Sequence, residues 1–177
     1  LGFDELQTIE IIRGIENGVD VSVYCKEEFN AAQMKALRLG LEEKLDVSRF
    51  ADAQYDYMQM EELKQAVRSG MNMDDICNPK LGYSGEVLRQ IRLAKKEEID
   101  LTFFVEDNYD EYQLNEIRLG IHNCVDITKY LLHEYNGKQM EQIRLGLEEG
   151  IDVSEYADPF IDAVSMKEAR HRISDKW

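Results

Sequence analysis

Proline and cysteine are scarce in this chain, with two and three among 177 residues. Cys25, Cys77 and Cys124 stand far apart, and an odd number of thiols does not make a disulfide framework. Reduced, structural cysteines of a cytoplasmic protein are the expectation. Long apolar runs are missing too. The longest resemble residues 101–105, well short of the roughly 20 residues of a membrane helix. There is no signal-peptide pattern and no Asn-x-Ser/Thr sequon. Positive charge is in deficit: 21 Lys and Arg against 36 Asp and Glu leave a net charge of −15 and a pI near 4.6. Free affinity for DNA, RNA or anionic lipid needs a basic footprint, so those ligands are disfavoured. The balance suits a basic protein or peptide partner, or solubility alone.

Catalytic and metal motifs are absent as well. His122, His133 and His171 show no HExxH pattern, and no CxxC pair or EF-hand loop occurs. No phosphate-binding glycine loop and no GxSxG elbow is present. The expectation is a non-enzymatic protein with no catalytic residue, metal or cofactor. What the chain does have is 44% apolar residues, enough for a core.

It also has a repeat. Gly18, Lys44, Gly70, Glu98, Cys124 and Gly150 mark one recurring position, in steps of 26, 26, 28, 26 and 26 residues. A fixed period of this size signifies stacked units that bury their apolar faces only against neighbours. The units are 3–28, 29–54, 55–82, 83–108, 109–134 and 135–160, with a capping helix over 161–177. Residues 1–177 thus form one repeat domain, an all-α solenoid of six two-helix repeats plus a C-terminal capping helix. Leu1-Gly2-Phe3-Asp4 matches the junction Leu81-Gly82-Tyr83-Ser84. That match suggests a further repeat or domain ahead of it in a longer protein.

Each unit announces a helix. N-cap residues recur as Asp4, Asn30, Asp56, Ser84, Asp110, Asn136 and Asp162. Gln7, Gln33, Gln59, Gln113 and Gln139 stand three residues on, the spacing of a capping box. Apolar pairs such as Tyr135/Met140 form hydrophobic staples across the cap. Gly14, Gly40, Ala66, Ala94, Gly120 and Gly146 put a small residue on the apolar stripe, which implies close backbone approach. Gly18, Gly70 and Gly150 then serve as left-handed caps. A second helix of one or two turns is expected after Asp20, Asp46, Asn72, Asp100, Asp126 and Asp152, with Pro79 and Pro159 stopping it. The last helix keeps Met166 and Ala169 in register and turns charged at Arg170, His171 and Arg172, as a solvated cap should.

The string at residues 139–159, QMEQIRLGLEEGIDVSEYADP, resembles the short QM-x-x-IR-x-GL-x-x-G-[IV]-DVS-x-YA helical repeats of largely uncharacterised proteins from gut-dwelling Firmicutes, often linked to mobile elements. The similarity runs through residues 29–160. It implies a bacterial repeat protein and assigns no chemistry.

The candidate binding site is a basic ladder, Arg38, Lys64, Arg92, Arg118, Arg144 and Arg170, broken by Ile12 in the first unit. Stacking would align these side chains in a column able to read carboxylates, phosphates or carbonyls along an extended ligand. The structural alternative pairs each cation with a cap aspartate or helix-end carbonyl of an adjoining unit. A second candidate is acidic: Glu42-Glu43, Glu97-Glu98 and Glu148-Glu149 occupy the last helical turn, where the macrodipole disfavours negative charge. Tyr57 and Tyr112 suit protein contact. Three functions follow: a scaffold binding a protein or peptide, a spacer between flanking domains, and a reader of single-stranded nucleic acid. A binder should leave the ladder unpaired beside a groove, and a spacer should spend it on intramolecular pairs.

Overall fold

The computed structural model describes residues 2–72 and 78–175. Among them are eight α-helices and no strand. Seven are of 12 residues: α1 Glu5–Glu16, α2 Ala31–Glu42, α3 Tyr57–Arg68, α4 Gly85–Lys96, α6 Glu111–His122, α7 Gly137–Glu148 and α8 Ala163–Ser174. The short α5 spans Thr102–Glu106. The chain divides into two compact units, Leu1–Arg89 and Gln90–Trp177, with the division inside α4. In the first unit α1 packs on α2 and α2 on α3; in the second, α6 packs on α7 and α7 on α8.

The helix starts are the predicted ones. Asp4, Asn30, Asp56, Asp110 and Asn136 each accept from the N3 backbone N–H, and the N3 Gln side chain accepts from the cap's own N–H, completing five capping boxes. Ser84 caps α4 through the Val87 N–H at 3.2 Å, and Asp162 caps α8 without a box. The staple residues Phe29, Met34, Met60, Leu114, Tyr135 and Met140 are buried, each contributing about 1.5–3 kcal/mol on transfer from water.

The corners after the helices repeat one geometry. Gly18, Lys44, Gly70, Glu98, Cys124 and Gly150 all have positive φ, from 57° to 74°. In each corner two backbone bonds close a Schellman motif; Lys44 N–H donates to the Leu41 carbonyl and Leu45 N–H to the Gly40 carbonyl. The recurring anchor is therefore a left-handed backbone position, and only half of its occupants are glycine.

The expected second helix is reduced to a single 3₁₀ turn at Val21–Val23, Val47–Arg49, Ile127–Lys129 and Val153–Glu155. Among the described residues, the fourth unit alone forms a short α-helix there, α5. Asp20, Asp46, Asp126 and Asp152 bond the N–H two residues on, an Asx turn that Asp100 also makes with Thr102; in these four units the following Tyr24, Phe50, Tyr130 and Tyr156 plunge into the core, whereas Phe104 is half-buried. The helix expected at this place in the third unit, with Ile76 and Cys77, falls outside the described residues. Pro79 opens the 3₁₀ turn Pro79–Leu81, where its missing N–H costs nothing; the element it is expected to stop lies outside the described residues.

The small residue on each long helix is explained by these aromatics. The hydroxyls of Tyr24, Tyr130 and Tyr156 donate to the carbonyls of Glu10, Glu116 and Gln142 at 3.1, 3.2 and 3.4 Å. A Cβ on Gly14, Gly120 or Gly146 would meet those hydroxyl oxygens at 1.9, 1.8 and 1.9 Å. Gly40, facing Phe50, has no such hydroxyl above it. In the fourth unit Phe104 goes with Ala94.

Two stability measurements follow. Lys44→Gly and Cys124→Gly should each stabilise the fold by about 0.5–1 kcal/mol, read as a higher urea midpoint, because glycine adopts the left-handed backbone without the Cβ penalty. Gly146→Ala should destabilise by about 1–3 kcal/mol. Adding Tyr156→Phe should restore part of that loss, although Tyr156→Phe alone costs about 1 kcal/mol.

Candidate functional site: the basic ladder and its acidic partners

Arg38, Lys64, Arg118, Arg144 and Arg170 are all buried, the most exposed at 8%. The helices set them there. Each follows a core residue such as Leu37 or Ile143, so its stem lies along the seam with the helix before it. Arg144 donates from Nε to Glu116 on α6 at 2.8 Å and from Nη1 to Glu148 on its own helix at 2.6 Å. Arg38 repeats the arrangement with Glu10 on α1 at 2.8 Å and Glu42 at 2.5 Å. Arg118 reaches back to Gln90 on α4 at 3.2 Å and to both oxygens of Glu97 at 2.6 and 2.8 Å. Arg170 bonds Gln142 on α7 at 3.4 Å and pairs with Glu149. Arg92 is half-buried and also engaged.

These partners differ from the expected ones. No cap aspartate or helix-end carbonyl takes part in the bonds described. The acceptors are Glu and Gln side chains from the middle of the preceding helix and glutamates at helix ends, and Arg118 also donates to Asn115 on its own helix at 3.1 Å. Lys64 shows the rule by exception. Its counterpart acceptor position on α2 is Ala36, and the ammonium turns to Glu61 on its own helix at 2.6 Å. The signal was present in the sequence: Glu10, Gln90, Glu116 and Gln142 each stand two residues before the ladder position of their own helix.

The acidic doublets are absorbed by the same seams. Asn17 donates to Glu42 at 2.7 Å, Arg68 to Glu43 at 2.6 Å, and Asn123 to Glu148 at 2.6 Å, every pair 25 residues apart. His122 lies 3.8 Å from Glu97 at the same offset. Carboxylates in a last turn, unfavourable to their own helix dipole, are thus held by cations and amides of adjoining helices. Glu98 is exposed at the left-handed corner.

A third joint runs through the capping-box glutamines. While Oε1 accepts from the cap, Nε2 donates to the carbonyl just before the next N-cap. Gln7 reaches Phe29 at 2.7 Å, Gln59 Tyr83 at 2.6 Å, Gln113 Tyr135 at 2.7 Å, and Gln139 Ile161 at 2.7 Å. Sequence reasoning assigned these glutamines the first bond only.

Electrostatics follows the pairing. Burial opposes the Arg38 and Arg144 charges, but hydrogen bonds to Glu10 and Glu42, or Glu116 and Glu148, hold both pKa values above that of free arginine. Glu42 is lowered first by its Asn17 bond and then, against burial, by Arg38; at Glu148 burial pushes the pKa up, and the hydrogen bonds from Asn123 and Arg144 together bring it below the ordinary value.

Among the described residues, no group of three His, Cys, Asp or Glu side chains could hold a metal ion, and no helix is long and apolar enough to cross a membrane. Tyr112 is exposed and Tyr57 half-buried. Comparisons with family models, curated proteins and solved structures find no match to this chain.

Arg144→Gln should cost about 3 kcal/mol, since it strands two carboxylates. The penalty has a defined pH window. The folded pKa of Glu148 lies below the ordinary 4.5, so its contribution is complete above that pH and is lost as the pH falls through the folded value. Urea titrations of both proteins should therefore show a gap that is wide at neutral pH and narrows below about 4.5.

Proposed function

We propose that this chain is a non-enzymatic α-solenoid of six two-helix repeats closed by α8, and that it serves as a structural spacer. The observation carrying this reading is that the same joints recur at fixed offsets. Gln bonds a carbonyl 22 residues on in four units, and the ladder arginine bonds a residue 28 back in four. Units joined by identical contacts can stack without a closing partner. The ladder cations are committed inside the fold, which supports a spacer over recognition along the ladder. A reader of single-stranded nucleic acid has the least support, because the cations it needs are buried against carboxylates. The free thiols Cys25 and Cys124 suit a reducing cytoplasm.

A second reading, a scaffold for a protein or peptide, is favoured by Phe103, Tyr112, Leu132, Phe160 and Val164, all exposed in the second unit. A partner using these side chains would be apolar at the contact and, against this net charge, basic around it.

Small-angle scattering tests the architecture. A solenoid should exceed the radius of gyration of about 16 Å of a compact chain of this length, and a value at or below it would sink the proposal. The role is tested by affinity capture with Arg118→Gln. Loss of stability with no change in captured protein is expected; a partner lost at an unchanged melting midpoint would make the ladder a recognition site.

A further inference from the structure

Residues 97–117 carry eight acids and no Lys or Arg. In the middle of this stretch α5 exposes Phe103, at 69%. The matching residue of the first, second, fifth and sixth units is Val23, Arg49, Lys129 or Glu155, so no other of these units shows a ring there. Phe103 is the outer end of a row of rings. It meets Phe104 edge-on at 5.5 Å, Phe104 meets Tyr109 at 6.0 Å, and Tyr109 stacks on His133 at 4.1 Å. The row crosses from the fourth repeat to the fifth, wholly within Gln90–Trp177. Carboxylates border it. Asp107 Oδ2 lies 3.0 Å from His133 Nε2, and Glu106 and Glu134 are exposed. Burial first, then the charges of Asp107 and Glu134, push up the pKa of the Tyr109 hydroxyl, so both acids stand close to that ring. Glu106 and Asp107 follow Phe103 by three and four residues, the spacing of helical neighbours. Leu132, 48% exposed, precedes His133 in the chain.

We propose that this acid-rimmed aromatic row docks a basic segment of a partner protein, an arginine of which lies over Phe103 with its guanidinium on Glu106 and Asp107. The inference rests on the second reading above, a scaffold for a protein or peptide. Charge complementarity selects the occupant. A cation is drawn both to the face of an aromatic ring and to the carboxylates beside it. A nucleic acid, an anionic lipid or a second copy of this chain, itself at −15, would bring negative charge to the same acids. Arginine suits the site better than lysine, because its planar fork stacks on rings and bonds carboxylates at two points. Its aliphatic stem, with an apolar residue next to it in the segment, covers Phe103 and Leu132.

The probe is a short peptide of arginine, leucine and glycine, titrated calorimetrically into the full chain beside counterparts with lysine or glutamate in place of arginine. The arginine peptide should bind, the lysine peptide should bind several-fold more weakly, and the glutamate peptide should not bind. Phe103→Ser should weaken binding about tenfold and Asp107→Asn about fivefold. Circular dichroism should stay unchanged in both, because the two side chains are exposed. Glu28→Gln removes the same charge from an exposed position of the first unit and should change the affinity less than about twofold. An unchanged affinity in Phe103→Ser, or equal losses in Asp107→Asn and Glu28→Gln, would leave only diffuse attraction and overturn the proposal. A dimer in sedimentation that is lost in Phe103→Ser would overturn it in favour of a second copy. Binding lost in Phe160→Ser instead would overturn this site and keep the scaffold reading. Failure of all three peptides overturns the site as well; the scaffold reading falls with it only if affinity capture by the unaltered chain also returns no partner.

Discussion

One glutamine side chain sets the spacing between successive helices. Its oxygen completes the cap of its own helix, and its amide holds the carbonyl immediately before the next helix begins. Both ends of the group are bonded, and both bonds are short. A helix start is thereby fixed relative to the start of its neighbour, so the seam between them falls in constant register. The ladder arginines and last-turn glutamates can meet only because that register is held. Buried polar groups are costly when unpaired, so an error in register would cost more than the bonds at the error itself.

The seam is charged where most helix seams are apolar. Arg38 between Glu10 and Glu42, and Arg144 between Glu116 and Glu148, are buried cations between paired acceptors. Such pairs give little net stability relative to a well-packed apolar seam, but removing one member is expensive. They therefore discriminate between matched and mismatched neighbours. Lys64 above Ala36 shows a seam where both halves of the device changed together.

Much of this was legible in the sequence, for identifiable reasons. The caps, the 12-residue helices and the left-handed corner were readable because each depends on residues close in the chain. Lys44, Glu98 and Cys124 betrayed their backbone only through alignment with Gly18, Gly70 and Gly150. The short second element was over-read as a helix because an N-cap aspartate precedes an Asx turn as readily as a helix. The partners of the ladder were misjudged because cap aspartates, the obvious acids, are already bonded by backbone N–H groups. The true acceptors sit one repeat away at a position where Glu and Gln alternate, and amide and acid do the same work there.

The joints between helices link residues 21 to 28 apart in sequence. Short loops close quickly, so a chain wired this way can fold without waiting for distant segments to find each other. The same wiring carries a hazard, since a helix meets several nearly identical sites and can dock on the wrong one. Gly40 with Phe50, Ala36 with Lys64, and Val87 in place of glutamine break that sameness locally. They act as addresses that tell otherwise interchangeable segments which neighbour is theirs.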